Sequence, residues 1–73
     1  MGTTHPLMRL LAEADLTAVQ VEERSGVSRR TIYSIATGRT LRPHPRTIAR
    51  LARALGQTFD EMEAIVSPRE EAA

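Results

Sequence analysis

The sequence predicts an all-α fold of five short helices within a single small domain. Three observations carry this. Apolar residues recur three and four apart in each candidate element, the spacing that lines one side of a 3.6-residue helix. A capping residue, or a proline suited to the first turn, precedes each run at His5-Pro6, Thr17, Ser28, Pro45 and Thr58. Gly26, Gly38 and Gly56 then stand where helices pass into the left-handed conformation that ends them.

Residues 1 to 5 read as a loose lead-in, with His5 as a mediocre cap. Pro6 suits a first helical position because its missing amide would be unpaired there anyway. Leu7, Leu10, Leu11 and Ala14 define a first helix from about Pro6 to Ala14 whose task is to build core. Asp15 and Leu16 make a brief turn. Thr17 and Gln20 have the spacing of a capping box, and Leu16 can staple onto Val21. This second helix runs to Arg24 or Ser25 and stops at Gly26. Ser28 caps a third helix spanning 28–37, with Val27 closing over Ile32.

The fourth helix starts at Pro45, buries Ile48, Leu51, Ala52 and Leu55, and ends at Gly56; Arg50 and Arg53 face outward to keep it solvated. Thr58 opens the fifth, with Glu61 at the reciprocal capping position and Asp60 beside it, where the helix dipole favours acids. Its apolar side, Phe59, Met62, Ile65 and Val66, divides between core and a dimer seam. The domain is thus expected over 6–66, and residues 67–73 are expected to be a disordered tail.

A chain of 73 residues has little material to wall a catalytic cleft, and no nucleophile and base pair is visible, so it is expected not to be an enzyme. It contains no cysteine, which excludes disulfides and thiolate metal sites. His5 and His44 are isolated from each other and read as surface or capping residues. Neither a metal site, a cofactor nor a small-molecule site is expected. No apolar run approaches the roughly 20 residues of a membrane span, and no signal-peptide or myristoylation pattern opens the chain, so a soluble cytoplasmic location without membrane partners is expected.

Net charge is only +1, but its distribution is lopsided. Between Arg24 and Arg53 lie eight arginines and no acid, whereas residues 1 to 23 carry one arginine against four acids and residues 54 to 73 one against five. A solvated surface usually mixes the signs, so an arginine-only centre is the footprint of a polyanion partner. The third helix lies within it. At 100° per residue, Ile32 and Ile35 fall on one side, while Arg29, Arg30, Tyr33, Ser34 and Thr37 spread over an arc of about 140° on the other. Arginine can grip guanine O6 and N7 with two hydrogen bonds, hydroxyls can bond bases or phosphates, and tyrosine can meet a thymine methyl or a phosphate. Two short helices joined by a three- or four-residue turn around a glycine make a helix-turn-helix, and the exposed face of the second suits a major groove.

The run T-A-V-Q-V-E-E-R-S-G-V-S-R-R-T-I-Y-S-I-A-T-G-R, Thr17 to Arg39, resembles the helix-turn-helix of the Cro and phage-repressor type, also called the xenobiotic-response-element family. Its most specific part is G-V-S-R-R-T-I-Y-S-I with Gly38 closing the helix. The likeness continues through P-R-T-I-A-R-L-A-R-A-L-G and T-F-D-E-M, covering about residues 7 to 66. It implies a compact five-helix, lambda-repressor-like bundle whose third helix enters the major groove. The positions it turns toward bases are Ser28, Arg29, Arg30, Tyr33, Ser34 and Thr37; its packing positions are Val21, Val27, Ile32 and Ile35. The sequence departs from the family at Ala18, where a glutamine usually opens the second helix, and at Glu22, usually a small alanine at the helix crossing, where a carboxylate must either swing outward or pair with a nearby arginine such as Arg30. Thr37 replaces a common asparagine, and the loop from Arg39 to His44 is one residue longer than usual.

The resulting expectation is a sequence-specific binder of double-stranded DNA, a bacterial or phage transcriptional regulator that represses by occupancy and associates with the nucleoid. Thr17, Gln20, Arg39, Arg42 and Arg46 are expected at phosphates, which position the protein without reading sequence. A homodimer, at least on DNA, would extend the site to two half-sites. The alternative is an antitoxin-like or anti-repressor-like adaptor whose main partner is another protein, met by the acidic last segment around Phe59 and Met62.

Overall fold

The structure, a computed structural model, describes residues 5–67; the expected lead-in and tail, apart from His5 and Ser67, lie outside the described residues. Five helices follow in chain order: α1 (Pro6–Glu13), α2 (Ala18–Ser25), α3 (Arg29–Ala36), α4 (Pro45–Leu55) and α5 (Phe59–Val66), with no strand among the described residues. Every helix begins on the cap expected of it. The Thr17 hydroxyl accepts from the Gln20 amide at 3.1 Å while Gln20 Oε1 accepts from the Thr17 amide at 2.9 Å; Thr58 and Glu61 repeat the arrangement at 3.1 and 2.9 Å. His5 and His44 cap α1 and α4 through Nδ1, each accepting a backbone amide two residues on at 3.0 Å. A ring nitrogen thus does for two proline-led helices what a hydroxyl does for the others.

The helix ends show one departure. α1 stops at Glu13, and Ala14, expected on the apolar side, is instead an exposed C-cap. The chain leaves the helix at Asp15, which takes φ +59°, so that the Leu16 amide swings back to donate to the Leu11 carbonyl at 2.9 Å. A left-handed residue usually costs a side chain about 1 kcal/mol, and aspartate is among the few that tolerate it. Gly26, at φ +80°, ends α2 in the same way without that penalty.

Leu7 and Leu11 of α1, Ala18 and Val21 of α2, Ile32 and Ile35 of α3, Ile48, Leu51 and Ala52 of α4, and Met62 and Val66 of α5 form one core, joined by Val27 from the turn. Full burial of each large aliphatic is worth about 1.5–3 kcal/mol, which is where a domain of this size finds its stability. α4 packs on both α2 and α5, α2 packs on α3, and α1 bridges α3 and α5. Consequently α3 is held from behind by two helices while its outer side is left clear. Leu10, Leu16, Leu55 and Ile65 pack at the edge of this core.

The proposed dimer seam on α5 requires correction. Met62 and Val66 are fully interior, with 0% and 1% exposure, because α5 turns them onto α4 and α1. Phe59, 39% exposed, and the half-buried Ile65 are what that side leaves at the surface. No helix among the described residues is long and apolar enough to cross a membrane.

Candidate nucleic-acid interface

The outward side of α3 follows from its inward side. Ile32 and Ile35 are 0% exposed, and with 100° between residues they turn Arg29, Arg30 and Tyr33 to solvent. Tyr33 keeps half its surface free. The helix is oriented at its start by the turn before it. The Ser25 hydroxyl donates to the Val21 carbonyl at 2.6 Å and accepts from the Val27 amide at 3.0 Å, stitching α2 to the turn, while Val27 itself is buried. This hydroxyl, Gly26 at φ +80° and the buried Val27 together shape the turn between the two helices.

Several side chains expected to face bases are already engaged. Ser28 accepts from the Thr31 amide at 3.2 Å and its hydroxyl donates to Thr31 Oγ1 at 3.0 Å. Thr37 is the C-cap of α3, donating to the Tyr33 carbonyl at 2.8 Å. Ser34 is half-buried, and its hydroxyl shares a 2.7 Å hydrogen bond with that of Thr40. Each of these retains some acceptor capacity, but their donors are largely committed to holding the helix. Arg30 keeps its full donor set, Arg29 keeps the donors of its two terminal nitrogens, and the Tyr33 hydroxyl adds one more.

Of the two alternatives for Glu22, at the crossing of α2 and α3, the structure takes pairing, and with Arg29 rather than Arg30: Arg29 Nε lies 3.0 Å from Glu22 Oε1. Arg29 is the first residue of α3, nearest the turn, whereas Arg30 is rotated a further 100° around the helix. Ala18, where a glutamine would be usual, is buried as the first residue of α2 and presents nothing polar. Thr17 and Gln20 beside it are exposed. After their capping bonds the threonine still has its hydroxyl proton and the glutamine its NH₂ group to donate.

Beyond α3 the chain turns through Gly38 at φ +83°, and the amides of Arg39 and Thr40 both donate to the Ser34 carbonyl, at 2.9 and 3.1 Å. Pro43 is buried. The loop is therefore pinned at Thr40 and Pro43, leaving Arg39, Leu41 and Arg42 outermost, and Leu41 is 67% exposed. Arg46, in the first turn of α4, is also exposed, as are Arg50 and Arg53. Thr31 and Thr40 were not singled out from the sequence. The Ser28-x-x-Thr31 spacing was an available signal for the first, but Thr40 meets Ser34 only because Gly38 reverses the chain.

A family model described as a helix-turn-helix domain matches residues 7–65. No curated protein and no solved structure matches the chain. The match begins within α1 and ends within α5, so it takes in the two-helix motif together with the helices that pack behind it, as the Cro and repressor-type resemblance implied. The chain belongs to the helix-turn-helix domain family.

Proposed function

We propose that this protein is a sequence-specific double-stranded DNA-binding regulator that represses transcription by occupying its site, with α3 in the major groove. The observation that carries this is the division of α3 into a fully buried isoleucine side and an outer side bearing Arg29, Arg30 and Tyr33, set in the arginine-only stretch from Arg24 to Arg53. Arg29 and Arg30 donate to base edges, and Tyr33 refines the choice by contact with a thymine methyl or a phosphate. Ser28, Ser34 and Thr37 stand at the same face chiefly as the groups that shape it. Thr17, Gln20, Arg39, Arg42 and Arg46 bind phosphates and supply affinity that falls as salt rises. Occupancy needs no surface beyond the one that binds DNA, which is why repression is the simplest regulatory outcome. The protein works in the cytoplasm on nucleoid DNA, and two copies dock on half-sites about one helical turn apart.

The test is selection from a random duplex pool at near-physiological salt, followed by sequencing of the retained DNA. An enriched motif with two symmetric halves is expected. Arg29→Ala should then lose about 1–3 kcal/mol on the best site and relax preference at one base pair. Equal weakening on every DNA sequence would move Arg29 to the backbone, and failure of the wild-type chain to enrich any motif would remove the proposal.

A further inference from the structure

Among the described residues, Glu22 and Arg29 make the one ion pair. Its position is unexpected on electrostatic grounds, because it places a carboxylate at the edge of the face that the preceding proposal turns to a polyanion. The pair has little to offer the fold: the side chains are 37% and 57% exposed, and pairs this open contribute little to stability. Alanine would also be a better helix former at position 22. The explanation must lie in what the carboxylate does to the arginine.

A guanidinium has five N–H donors arranged along two forked edges. The contact at Nε engages one edge and leaves the outer edge, formed by the two terminal nitrogens, open. That outer edge can still meet guanine O6 and N7 with two hydrogen bonds. A free arginine beginning a helix could equally swing to the nearest phosphate, since the side chain is long and its rotamers many. Tied to Glu22, it has fewer orientations, and the negative charge beside it makes a phosphate a poor neighbour.

We propose that Glu22 is a positioning residue for sequence reading: it holds Arg29 with its outer edge toward a guanine and opposes exchange of that base for the DNA backbone. The inference rests on the assignment of α3 to the major groove. Its distinct content is that a residue of α2, outside the reading helix, sets how strictly one base pair is chosen. Glu22 also lowers affinity for DNA that lacks the guanine.

The experiment is the same pool selection, followed by competition binding, with wild type, Arg29→Ala, Glu22→Ala, Glu22→Gln and the combination of Glu22→Ala with Arg29→Ala. Circular dichroism checks the fold of each, and the near-isosteric Glu22→Gln carries the comparison if Glu22→Ala unfolds. Arg29→Ala should lower preference at one G·C pair by roughly 5- to 150-fold. Glu22→Ala and Glu22→Gln should weaken preference at that same pair by about two- to five-fold, the scale of an exposed ion pair, and raise binding to DNA without the motif. Neither effect at that pair should appear when Glu22→Ala is added to Arg29→Ala. Unchanged preference in both Glu22 variants, or an equal change in the Arg29→Ala background, would overturn the inference while leaving α3 as the reading helix. A wild-type chain that enriches no motif would overturn both.

Discussion

Replacing Ser34 by alanine separates two roles that one hydroxyl cannot fully hold at once. The Ser34 hydroxyl shares a 2.7 Å hydrogen bond with Thr40 in a half-buried setting, and the Thr40 and Arg39 amides both donate to the Ser34 carbonyl. The substitution removes the side-chain bond but leaves the two backbone bonds and the buried Pro43 in place. One intramolecular hydrogen bond is worth about 0.5–1.5 kcal/mol net, and the half-buried Thr40 hydroxyl it leaves behind places the loss toward the upper part of that range. For a domain this small, 1 kcal/mol lowers Tm by roughly 4–8 °C.

The assay is a double-mutant cycle of Ser34→Ala with Thr40→Val, read by denaturant unfolding. A coupling of about 1 kcal/mol is expected, and additivity within roughly 0.5 kcal/mol would refute the bond as a stabilising link. DNA binding supplies the second reading. Loosening the loop that carries Arg39 and Arg42 should weaken binding on all sequences alike in both single variants, because phosphate contacts carry no base information. A loss of preference at a single base pair in Ser34→Ala, but not in Thr40→Val, would show that Ser34 reads a base after all.

Gly26→Ala should destabilise by about 1–2 kcal/mol in chemical denaturation, since the glycine sits at φ +80° and the added Cβ would meet nothing within 4 Å, leaving backbone strain as the whole cost. Asp15→Gly makes the opposite change at φ +59° and should raise stability by up to about 1 kcal/mol, the relief of strain exceeding the extra freedom of the unfolded chain; a loss would mean the aspartate is stabilising its turn. Ile32→Ala should cost about 2–5 kcal/mol, enough to unfold much of the population at 37 °C, as the side chain is wholly enclosed. Burial holds the His5 imidazole below the usual histidine value of 6.5, and its Nδ1 accepts from the Leu7 amide only when unprotonated. The unfolded chain therefore binds the proton more readily, so this contribution is complete above pH 6.5 and is lost as pH falls through the folded value. The drop in Tm between pH 7.5 and 5.5 should be smaller in His5→Asn, which still caps α1 but does not titrate in that range; an unchanged drop would place the dependence elsewhere.

The helices and their caps were legible because they depend on neighbours a few residues away. Thr17 with Gln20, Thr58 with Glu61, and the proline after each capping histidine state their geometry locally, and the structure realises each one. The direction of α3 was legible for the same reason, since two isoleucines three apart mark its inner side. What was not legible depended on where the chain goes next. Ala14 fits the helical period and keeps αR backbone as the C-cap, yet it is exposed, because the period alone does not say whether another element reaches far enough to cover the helix end. Met62 and Val66 could have served core or seam until the packing of α5 on α4 and α1 assigned them inward.

The candidate site shows the difference between where a side chain lies and what its atoms are free to do. Periodicity placed five polar residues on one arc of α3, but it could not show that Ser34 would be met by Thr40 across a glycine turn, or that Thr37 would bond back to Tyr33. These bonds remove the short hydroxyls from the pool of free donors and leave the long side chains, Arg29, Arg30 and Tyr33, to reach outward. Short groups then hold the helix and its loop in place, while the long groups are the ones the proposed function assigns to the nucleic acid. The exception among the long ones is Arg29, already held at one end by Glu22. Beside a stretch free of acids from Arg24 to Arg53, the proposed selectivity would depend on restraining positive charge as much as on supplying it.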